Sequence, residues 1–347
     1  MDTNIKLNKE PNILPVKKYK TFLLFITFII FFLIFDLLIG EVLRYYDKFD
    51  TPTQDMHSLM WNDFYRSTPN SYDVMFMGSS HARFAFDSKL NIKSFNLSSS
   101  EQTPLVGYYS LKEALKYQKP KLLVYEAYWR LFSIVDNTTA AYFAYDYIKG
   151  IDTKIEFLAS MYDNKKFPSF LLEALCRTYK YRDSFFPAIK NISNGKVKKK
   201  PTSSKSVKYS YFTYYQNGYF ESDKFVCDEK LFKTNPFRNV GSDFSWDKTQ
   251  DYYFKKTLEL CNENNIKVLV VTAPLPKPTM DYVKNYEKYN NQITSITNKF
   301  GFEYIDYNKQ ETAFKNEFFY DSNHLNFKGT EALDNSLMPI IKRYLEK

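Results

Sequence analysis

Apolar residues dominate one long stretch near the start of the chain, from Thr21 to Gly40. A helix of about 20 apolar residues crosses the ~30 Å hydrocarbon core of a bilayer, so the pattern predicts a transmembrane helix over residues 21–40. Its one charged residue, Asp36, falls near the outer end, where a carboxylate reaches interfacial water or pairs with a helix of another membrane protein. No second apolar stretch of comparable length follows, which argues against a multi-pass channel.

Positive charge precedes this stretch and sets its expected orientation. Lysines collect on the N-terminal side, at Lys6, Lys9, Lys17, Lys18 and Lys20. The positive-inside bias then places residues 1–20 in the cytoplasm and everything after Gly40 outside the cell. A cleaved signal peptide is the competing interpretation, but its apolar region is usually only about 7–15 residues long and ends at a small-residue cleavage site. We therefore favour an uncleaved, single-pass anchor.

After the anchor, hydrophobic patterning changes twice. Residues 41–71 show no sustained period and are predicted to form a loosely packed juxtamembrane stalk, followed by an extracytoplasmic domain over residues 72–347. Short apolar runs then alternate with segments of helical spacing, which predicts a parallel sheet covered by helices on both faces. The predicted strands are residues 72–77, 93–97, 121–126, 266–272 and 302–306, and the predicted helices are residues 102–117, 249–264, 282–299 and a final helix through Tyr344.

The alternation fails between residues 128 and 246, where aromatic residues and lysine dominate. We interpret this segment as a large, partly helical insertion or cap. Its basic, breaker-rich loop over residues 194–205 is expected to be a solvated loop, with attraction to an anionic polymer as the alternative. The aromatic run 209–215 is expected to pack inside the insertion, with a sugar-stacking wall as the alternative.

Composition narrows the possible partners. The 347 residues are 44% hydrophobic and 25% charged, an ordinary globular balance, and the formal net charge is +9. This charge favours phospholipid headgroups or an anionic wall polymer. Nucleic acid fits the charge alone, but no zinc-finger, helix-turn-helix or aromatic nucleoprotein pattern accompanies it. The three cysteines lack a CxxC pair, so we predict no disulfide framework, no metal site and no cofactor.

A serine motif stands directly after the first predicted strand: Gly78-Ser79-Ser80-His81. The carboxyl ends of parallel strands border the crevice where open α/β sheets bind ligands, and N–H groups of a following helix face a developing oxyanion there. By itself the motif is better explained as a strand-to-helix turn with a serine N-cap.

A second motif, Asp321-Ser322-Asn323-His324, precedes the final predicted helix. An aspartate three residues before a histidine in one loop can accept the Nδ1–H bond that fixes the imidazole tautomer. The Nε2 atom is then left to take a proton from a serine, which is the logic of a catalytic triad. A surface or capping histidine is the alternative.

Together, these two motifs resemble those of the SGNH or GDSL hydrolase superfamily. The N-terminal anchor and the Tyr320-Asp321-x-x-His324-Leu325 sequence resemble, more particularly, DltD-like envelope-polymer acyl-transfer proteins. The resemblance covers the start and the end of the predicted domain and leaves the insertion unassigned. It implies a three-layer SGNH (flavodoxin-like) α/β fold, with a parallel sheet and a helical, aromatic insertion, preceded by one transmembrane helix.

The resemblance also implies a role for individual residues. Ser80 would be the nucleophile, His324 the general base and then acid, and Asp321 the group that orients the imidazole. The Ser80 N–H and a backbone N–H at Ser98 would bind the oxyanion, next to Gly78. The family's third donor, an asparagine, is replaced by Glu126, which we expect to contact the helix N-terminus, a lysine or the acceptor. His81 is expected to be secondary, and Arg83 could bind an anionic group of the substrate.

The predicted function is O-acyl transfer through an acyl-Ser80 intermediate, on an extracytoplasmic polysaccharide or teichoic-type polymer. A membrane-embedded acyl-donor protein would be the partner, besides the bilayer itself. A membrane-anchored carboxylesterase or deacetylase, with water as the acceptor, is the first alternative. A non-catalytic, polymer-binding scaffold of the same fold is the second.

Overall fold

The structure is a computed structural model that describes residues 16–46, 52–87, 91–133, 138–195, 206–209, 212–225, 245–310 and 314–346. The chain divides into two compact units. The anchor unit comprises residues 1–48 and 172–198, and the sheet unit comprises residues 49–171 and 199–347. Each unit is described separately.

In the described part of the sheet unit, eight strands form two sheets. The strands are β1 Val74–Met77, β2 Ser94–Asn96, β3 Leu122–Glu126, β4 Ser206–Tyr209, β5 Phe212–Tyr215, β6 Phe220–Ser222, β7 Lys267–Thr272 and β8 Glu303–Asp306. The larger sheet has the order β2-β1-β3-β7-β8 and is parallel throughout. The smaller sheet, β4-β5-β6, is antiparallel.

Thirteen helices accompany the strands in the described part of the chain. Their bounds are α1 Val16–Tyr45, α2 Pro52–Arg66, α3 Ser80–Ala85, α4 Pro104–Ala114, α5 Thr138–Tyr145, α6 Ile151–Ser160, α7 Phe167–Leu175, α8 Arg177–Lys180, α9 Phe185–Ser193, α10 Lys248–Glu263, α11 Lys277–Met280, α12 Tyr286–Phe300 and α13 Phe327–Glu346. Short 3-10 helices occur at Trp129–Phe132, Arg182–Ser184 and Asn316–Phe318.

Alternate residues of each buried strand enter two different cores, because successive side chains of a strand point to opposite faces of the sheet. In β1, Met75 joins a core with side chains of α2, α4, α10 and α12. Its neighbours Val74 and Phe76 pack on the other face with side chains of α3 and α13. Two helical layers therefore enclose the sheet, and the prediction of a parallel α/β fold is confirmed.

The strand order places a ligand crevice. The chain leaves β1 toward β2 on one side and reaches β3 on the other, so the order reverses between β1 and β3. Open parallel sheets bind ligands at such a switch point, outside the carboxyl ends of the strands. Ser80 follows β1 and Glu126 ends β3, so both flank this point.

Residues 41–71 differ from the loosely packed stalk predicted from the sequence. Within them α2 forms and buries Met60, Trp61 and Phe64 in the core of the sheet unit. The physical reason is an apolar period of four residues, Met56-Met60-Phe64, which places these side chains on one face of a helix.

The predicted insertion over residues 128–246 contains helices, as expected, and also the antiparallel sheet, which the sequence pattern did not reveal. The Tyr214 ring of this sheet is buried, and its hydroxyl donates to Asp63 of α2 at 2.6 Å. Most of the basic loop 194–205 lies outside the described residues.

In the anchor unit, α1 includes a stretch, Tyr19–Tyr45, that is long and apolar enough to cross a membrane. Near its end, Asp36 is buried against the same chain. Its carboxylate accepts hydrogen bonds from the backbone N–H groups of Arg177 and Thr178, each at 2.9 Å, and from the Cys176 thiol at 3.0 Å. The Leu43 side chain packs with Tyr181 and Ala188. These contacts join α8 and α9 to the last turns of α1.

Candidate active site

Three residues predicted from the sequence lie in one hydrogen-bonded row. The Nε2 atom of His324 is 2.8 Å from the Oγ of Ser80. The Nδ1 atom of His324 is 2.9 Å from Oδ2 of Asp321 and 3.1 Å from Oδ1. The row has the order and spacing that lets a hydroxyl pass its proton to an imidazole, which a carboxylate orients.

The turn that presents Ser80 depends on Gly78. This residue has a φ of 149°. A Cβ at this position would meet the Cβ of Glu126 at 2.5 Å and the Cβ of Ala82 at 2.9 Å. Only glycine fits the backbone conformation and the close approach of β3. Ser79 then caps α3 by accepting from the His81 N–H, and Ser80 becomes the first helical residue.

The loop that carries His324 is closed on itself. The Tyr320 N–H donates to the His324 carbonyl at 3.0 Å, and Phe319 and Leu325 form an isolated antiparallel bridge. The Tyr320 ring stacks on the imidazole, with 5.3 Å between ring centroids. Backbone and side-chain contacts thus hold the imidazole toward Ser80, while 16% of its side chain stays exposed.

Asp321 stays ionised in this loop. Burial disfavours its charged form, but the imidazole of His324 and the backbone N–H groups of Asn323 and His324 outweigh burial and lower the pKa of Asp321 to about 2. A carboxylate that remains charged fixes the Nδ1–H tautomer of His324 and stabilises the imidazolium form.

Glu126 binds the same turn from the end of β3. Its Oε2 accepts from the Ser79 N–H at 3.0 Å and from the Ser79 hydroxyl at 2.8 Å. Burial raises the pKa of Glu126 to about 7, although both bonds from Ser79 lower it. The Oε1 atom is buried and has no hydrogen-bond partner in the described part of the chain. Glu126 therefore contacts the helix N-terminus, one of the three contacts expected from the sequence.

His81 lies beside the row rather than in it. Its ring is buried between those of Tyr128 and His324, with centroid distances of 3.8 and 4.7 Å. Burial above all, with a smaller contribution from the neighbouring His324 ring, holds the pKa of His81 well below its usual value, so the His81 ring is neutral. Its Nδ1 lies 3.1 Å from the Ser79 hydroxyl, and its buried Nε2 has no partner among the described residues.

Ser98 follows β2 at the same edge of the sheet. Its backbone N–H, predicted as an oxyanion donor, instead donates to Oδ1 of Asn96 at 3.0 Å. The Ser98 hydroxyl is buried and has no partner within the described ranges. The backbone N–H of Ser80 likewise has no acceptor there.

Sequence reasoning missed Asn96 and Gln102. The Asn96 amide donates to the carbonyls of Ala82 and Phe86, each at 3.0 Å, and so fixes the end of α3. The Gln102 carbonyl oxygen accepts from the Ser99 N–H at 3.0 Å. A polar residue at the end of an apolar strand, such as Asn96 after Phe95, is the signal that could have revealed the first of them.

Arg83 is buried in the core of the sheet unit. It is 1% exposed, and its guanidinium donates to the Ser98 carbonyl at 3.2 and 3.3 Å and contacts His57 of α2. Burial lowers the pKa of Arg83 to about 9. Arg83 therefore supports the loop after β2 from within the core, and does not bind an anionic substrate group.

No group of three His, Cys, Asp or Glu side chains in the described ranges has an arrangement that could hold a metal ion. The chemistry available at this edge is that of the serine, the imidazole and the carboxylates.

Comparison with known proteins gives a family and a set of distant structures. The family model described as "Protein of unknown function (DUF1574)" matches residues 19–344. No curated protein matches the chain. Among solved structures, a candidate acylhydrolase from Bacteroides fragilis is 12% identical, with 82% of this chain and 95% of that chain covered and a TM-score of 0.39. A GDSL-like lipase from Bacteroides thetaiotaomicron is 11% identical, with 84% and 98% covered and a TM-score of 0.38. At these TM-scores, function has to be argued from the geometry of the site.

Proposed function

The chain belongs to the DUF1574 family, and we propose that it is a membrane-anchored, SGNH-type serine enzyme that moves a small acyl group through an acyl-Ser80 intermediate. The observation that carries this proposal is the hydrogen-bonded row from Ser80 through His324 to Asp321. The acyl donor would be an ester or thioester, because its carbonyl carbon is the electrophile that an activated serine attacks.

The proposed reaction has two halves. The Ser80 Oγ attacks the acyl carbonyl while His324 Nε2 takes the hydroxyl proton, and the leaving alcohol or thiol then receives that proton from His324. An acceptor hydroxyl next gives its proton to His324 and attacks the acyl-Ser80 ester. The bond between the acyl carbon and the Ser80 Oγ breaks, and His324 returns the proton to the Ser80 Oγ. Asp321 stays ionised throughout and stabilises the imidazolium in both halves.

Negative charge develops on the carbonyl oxygen of the acyl group in both halves of the reaction, and hydrogen-bond donors must stabilise it. The Ser80 N–H has no acceptor among the described residues, so it is the first proposed oxyanion donor. The Ser98 hydroxyl is the second, because it is buried without a partner in the described part of the chain, whereas the Ser98 N–H is held by Asn96. Neutral Glu126 would add no negative charge near this oxygen, and its raised pKa favours that form below about pH 7.

Transfer, rather than hydrolysis, is proposed from the anchor and the charge of the chain. A membrane tether concentrates the enzyme beside a membrane-embedded acyl-donor protein, and a net charge of +9 attracts an anionic acceptor. The proposed acceptor is a hydroxyl of an extracytoplasmic polysaccharide or teichoic-type polymer. The lysines that precede the apolar stretch 21–40 favour this location for the sheet unit.

Hydrolysis is the second candidate. With 16% of its side chain exposed, His324 is open to water, which can replace the acceptor hydroxyl in the second half. The protein would then be a membrane-anchored carboxylesterase or deacetylase.

The test uses the full-length protein in detergent, with 4-nitrophenyl acetate as the acyl donor. We expect release of 4-nitrophenolate and acetylation of Ser80, detected by peptide mass spectrometry. Addition of a soluble oligosaccharide should then raise turnover and give acetylated sugar. Ser80→Ala should abolish all three signals, and Ser193→Ala, at an exposed position of α9, should abolish none.

Three outcomes separate the proposals. Acetylated sugar supports transfer. Acetate as the sole product at every sugar concentration contradicts transfer and leaves the esterase. Absence of acetyl-Ser80 in folded protein contradicts both, and favours the non-catalytic, polymer-binding scaffold.

A further inference from the structure

The anchor unit presents an apolar surface that does not belong to its own core. In α9, Phe185, Ile189 and Ile192 recur at helical spacing and are exposed, and Phe186 beside them is 79% exposed. Ala188, on an adjacent stripe of the same helix, is buried against Leu43 of α1. Within the described part of the anchor unit, α9 therefore packs on α1 with one stripe. It leaves a second apolar stripe, Phe185-Phe186-Ile189-Ile192, without a contact that would bury it.

The position of α9 along α1 gives the depth of this stripe. If the hydrocarbon core ends near Gly40, then Leu43 lies about 4.5 Å beyond it, at a rise of about 1.5 Å per residue. Asp36, four residues before Gly40, accepts the N–H groups of Arg177 and Thr178, so α8 begins at the level of the last helical turn inside the core. The exposed stripe of α9 thus lies at the boundary between acyl chains and headgroups.

Charge along this segment suits the same boundary. Residues 172–195 contain four basic residues, Arg177, Lys180, Arg182 and Lys190, against two acidic ones, Glu173 and Asp183. Lys190 is exposed and lies one turn after Phe186, where a long basic side chain reaches headgroup phosphates while its stem covers apolar surface. Interfacial helices combine an apolar face with basic residues in this way.

From this geometry we propose that α9 is an interfacial helix. Its stripe Phe185-Phe186-Ile189-Ile192 inserts into the membrane leaflet from which the C-terminal end of α1 emerges. The occupant is lipid because α9 packs on α1, most of whose own side chains are exposed along the span, up to 71% at Leu24. A second copy of the chain would cover the stripe and still leave α1 bare. The inference rests on α1 spanning the membrane and is independent of the chemistry at Ser80.

Insertion of α9 would fix α1 and the segment after it to one depth. The Asp36 carboxylate lies near the end of the span, where burial without hydrogen bonds would be costly. The first two N–H groups of α8 donate to it and so stabilise it there.

The experiment uses the full-length chain in vesicles of phosphatidylcholine and phosphatidylglycerol. Phe186 is replaced, through an amber codon, by an environment-sensitive fluorescent amino acid. The matched control carries the same group at Tyr252, an exposed aromatic residue of α10 in the sheet unit. Lipids brominated near the headgroups, or near the chain ends, then quench the fluorophore according to its depth.

We expect the Phe186 variant to emit at shorter wavelength than the Tyr252 variant and to lose about half its emission to the shallow bromines, with less loss to the deep ones. Emission and quenching equal to those of the Tyr252 variant would overturn the proposal, because the stripe would then lie in water. A blue-shifted emission without quenching, together with cross-linked dimers, would overturn it in favour of a second copy.

Flotation of the same vesicles shows whether α1 holds the protein in the membrane, and loss of flotation would overturn the inference at its first step. Fluorophosphonate labelling of Ser80 in the same preparation reports separately on the catalytic proposal. A failure of the interfacial-helix proposal is therefore distinguishable from a failure of the catalytic proposal.

Discussion

Glu126 Oε2 accepts both the backbone N–H and the hydroxyl of Ser79, at 3.0 and 2.8 Å. Ser79 directly precedes Ser80, so one buried carboxyl group holds the turn that presents the proposed nucleophile. Because burial raises the pKa of this carboxyl to about 7, its charge changes within the physiological pH range. The hydrogen bonds that hold the turn at Ser79 therefore depend on pH.

The first prediction concerns the stability of the folded chain. A raised pKa means that folded Glu126 binds its proton more tightly than the unfolded chain does. Its stabilising contribution is full below pH 4.5 and is lost as pH rises to about 7. The shift corresponds to a loss on the order of 3 kcal/mol over this range. Glu126→Gln, which cannot ionise, should remove that part of the pH dependence.

Urea unfolding followed by tryptophan fluorescence, at several values between pH 4.5 and 8, measures this effect. The control is Glu287→Gln, at an exposed glutamate that pairs with Lys309. This substitution should leave the pH dependence of the free energy of unfolding as it is in the parent protein. An unchanged profile in Glu126→Gln would show that the carboxyl ionises normally.

The second prediction concerns Asp321. In Asp321→Asn the amide can present its NH2 group to His324 and so favour the wrong imidazole tautomer. We expect the rate of Ser80 acylation to fall by about 10²–10⁴-fold, with the protein still folded. Stopped-flow release of 4-nitrophenolate measures this rate. Asp281→Asn, at an exposed aspartate that pairs with Lys277, is the control and should acylate at the parent rate. A loss below about threefold would contradict the orienting role of Asp321.

The third prediction concerns Gly78. An added Cβ collides with Glu126 and Ala82 and requires a φ of 149°, so Gly78→Ala should destabilise the sheet unit by about 2–5 kcal/mol. Gly107→Ala in α4 is the matched control, since its Cβ would meet nothing closer than 3.7 Å. The free energy of unfolding of that variant should stay unchanged or rise by up to about 1 kcal/mol, because alanine has a higher helix propensity than glycine. Equal free energies of unfolding for the two variants would refute the steric argument.

The fourth prediction concerns Asp36. Asp36→Ala leaves the N–H groups of Arg177 and Thr178 unsatisfied and removes the acceptor of the Cys176 thiol. Because each unsatisfied buried group costs about 1–3 kcal/mol, α8 should open more often. Alkylation of Cys176 should accelerate by roughly tenfold or more. Peptide mapping by mass spectrometry measures it, with the fully buried Cys261 as the internal control. Unchanged alkylation of Cys176 would mean that Asp36 does not hold α8 in place.

Much of the larger sheet was predictable, because parallel strands buried on both faces appear in the sequence as short apolar runs. β3 and β7 lie within the predicted bounds, since each contains an unbroken apolar run, such as residues 268–271 in β7. The contact between Asp321 and His324 was predictable for another reason: both residues lie in one loop, three positions apart.

Contacts between distant segments could not be derived in the same way. Nothing local to Glu126 shows that it faces Ser79, 47 positions earlier, because that approach depends on the pairing of β1 with β3. The bonds between Asp36 and α8 depend on packing across more than 100 positions. Helix α2 was missed because polar residues separate its apolar ones, and the small sheet was missed because its strands are short.

The proposed chemistry requires Ser80 to be an activated nucleophile, with His324 as its base. Covalent labelling of the folded, full-length protein by a fluorophosphonate probe tests it most directly, with Ser80→Ala and His324→Ala as variants and mass spectrometry to locate the label. The account predicts labelling at Ser80 in the parent protein and none in either variant. Absence of labelling in the folded parent protein, or full labelling of His324→Ala, would contradict it.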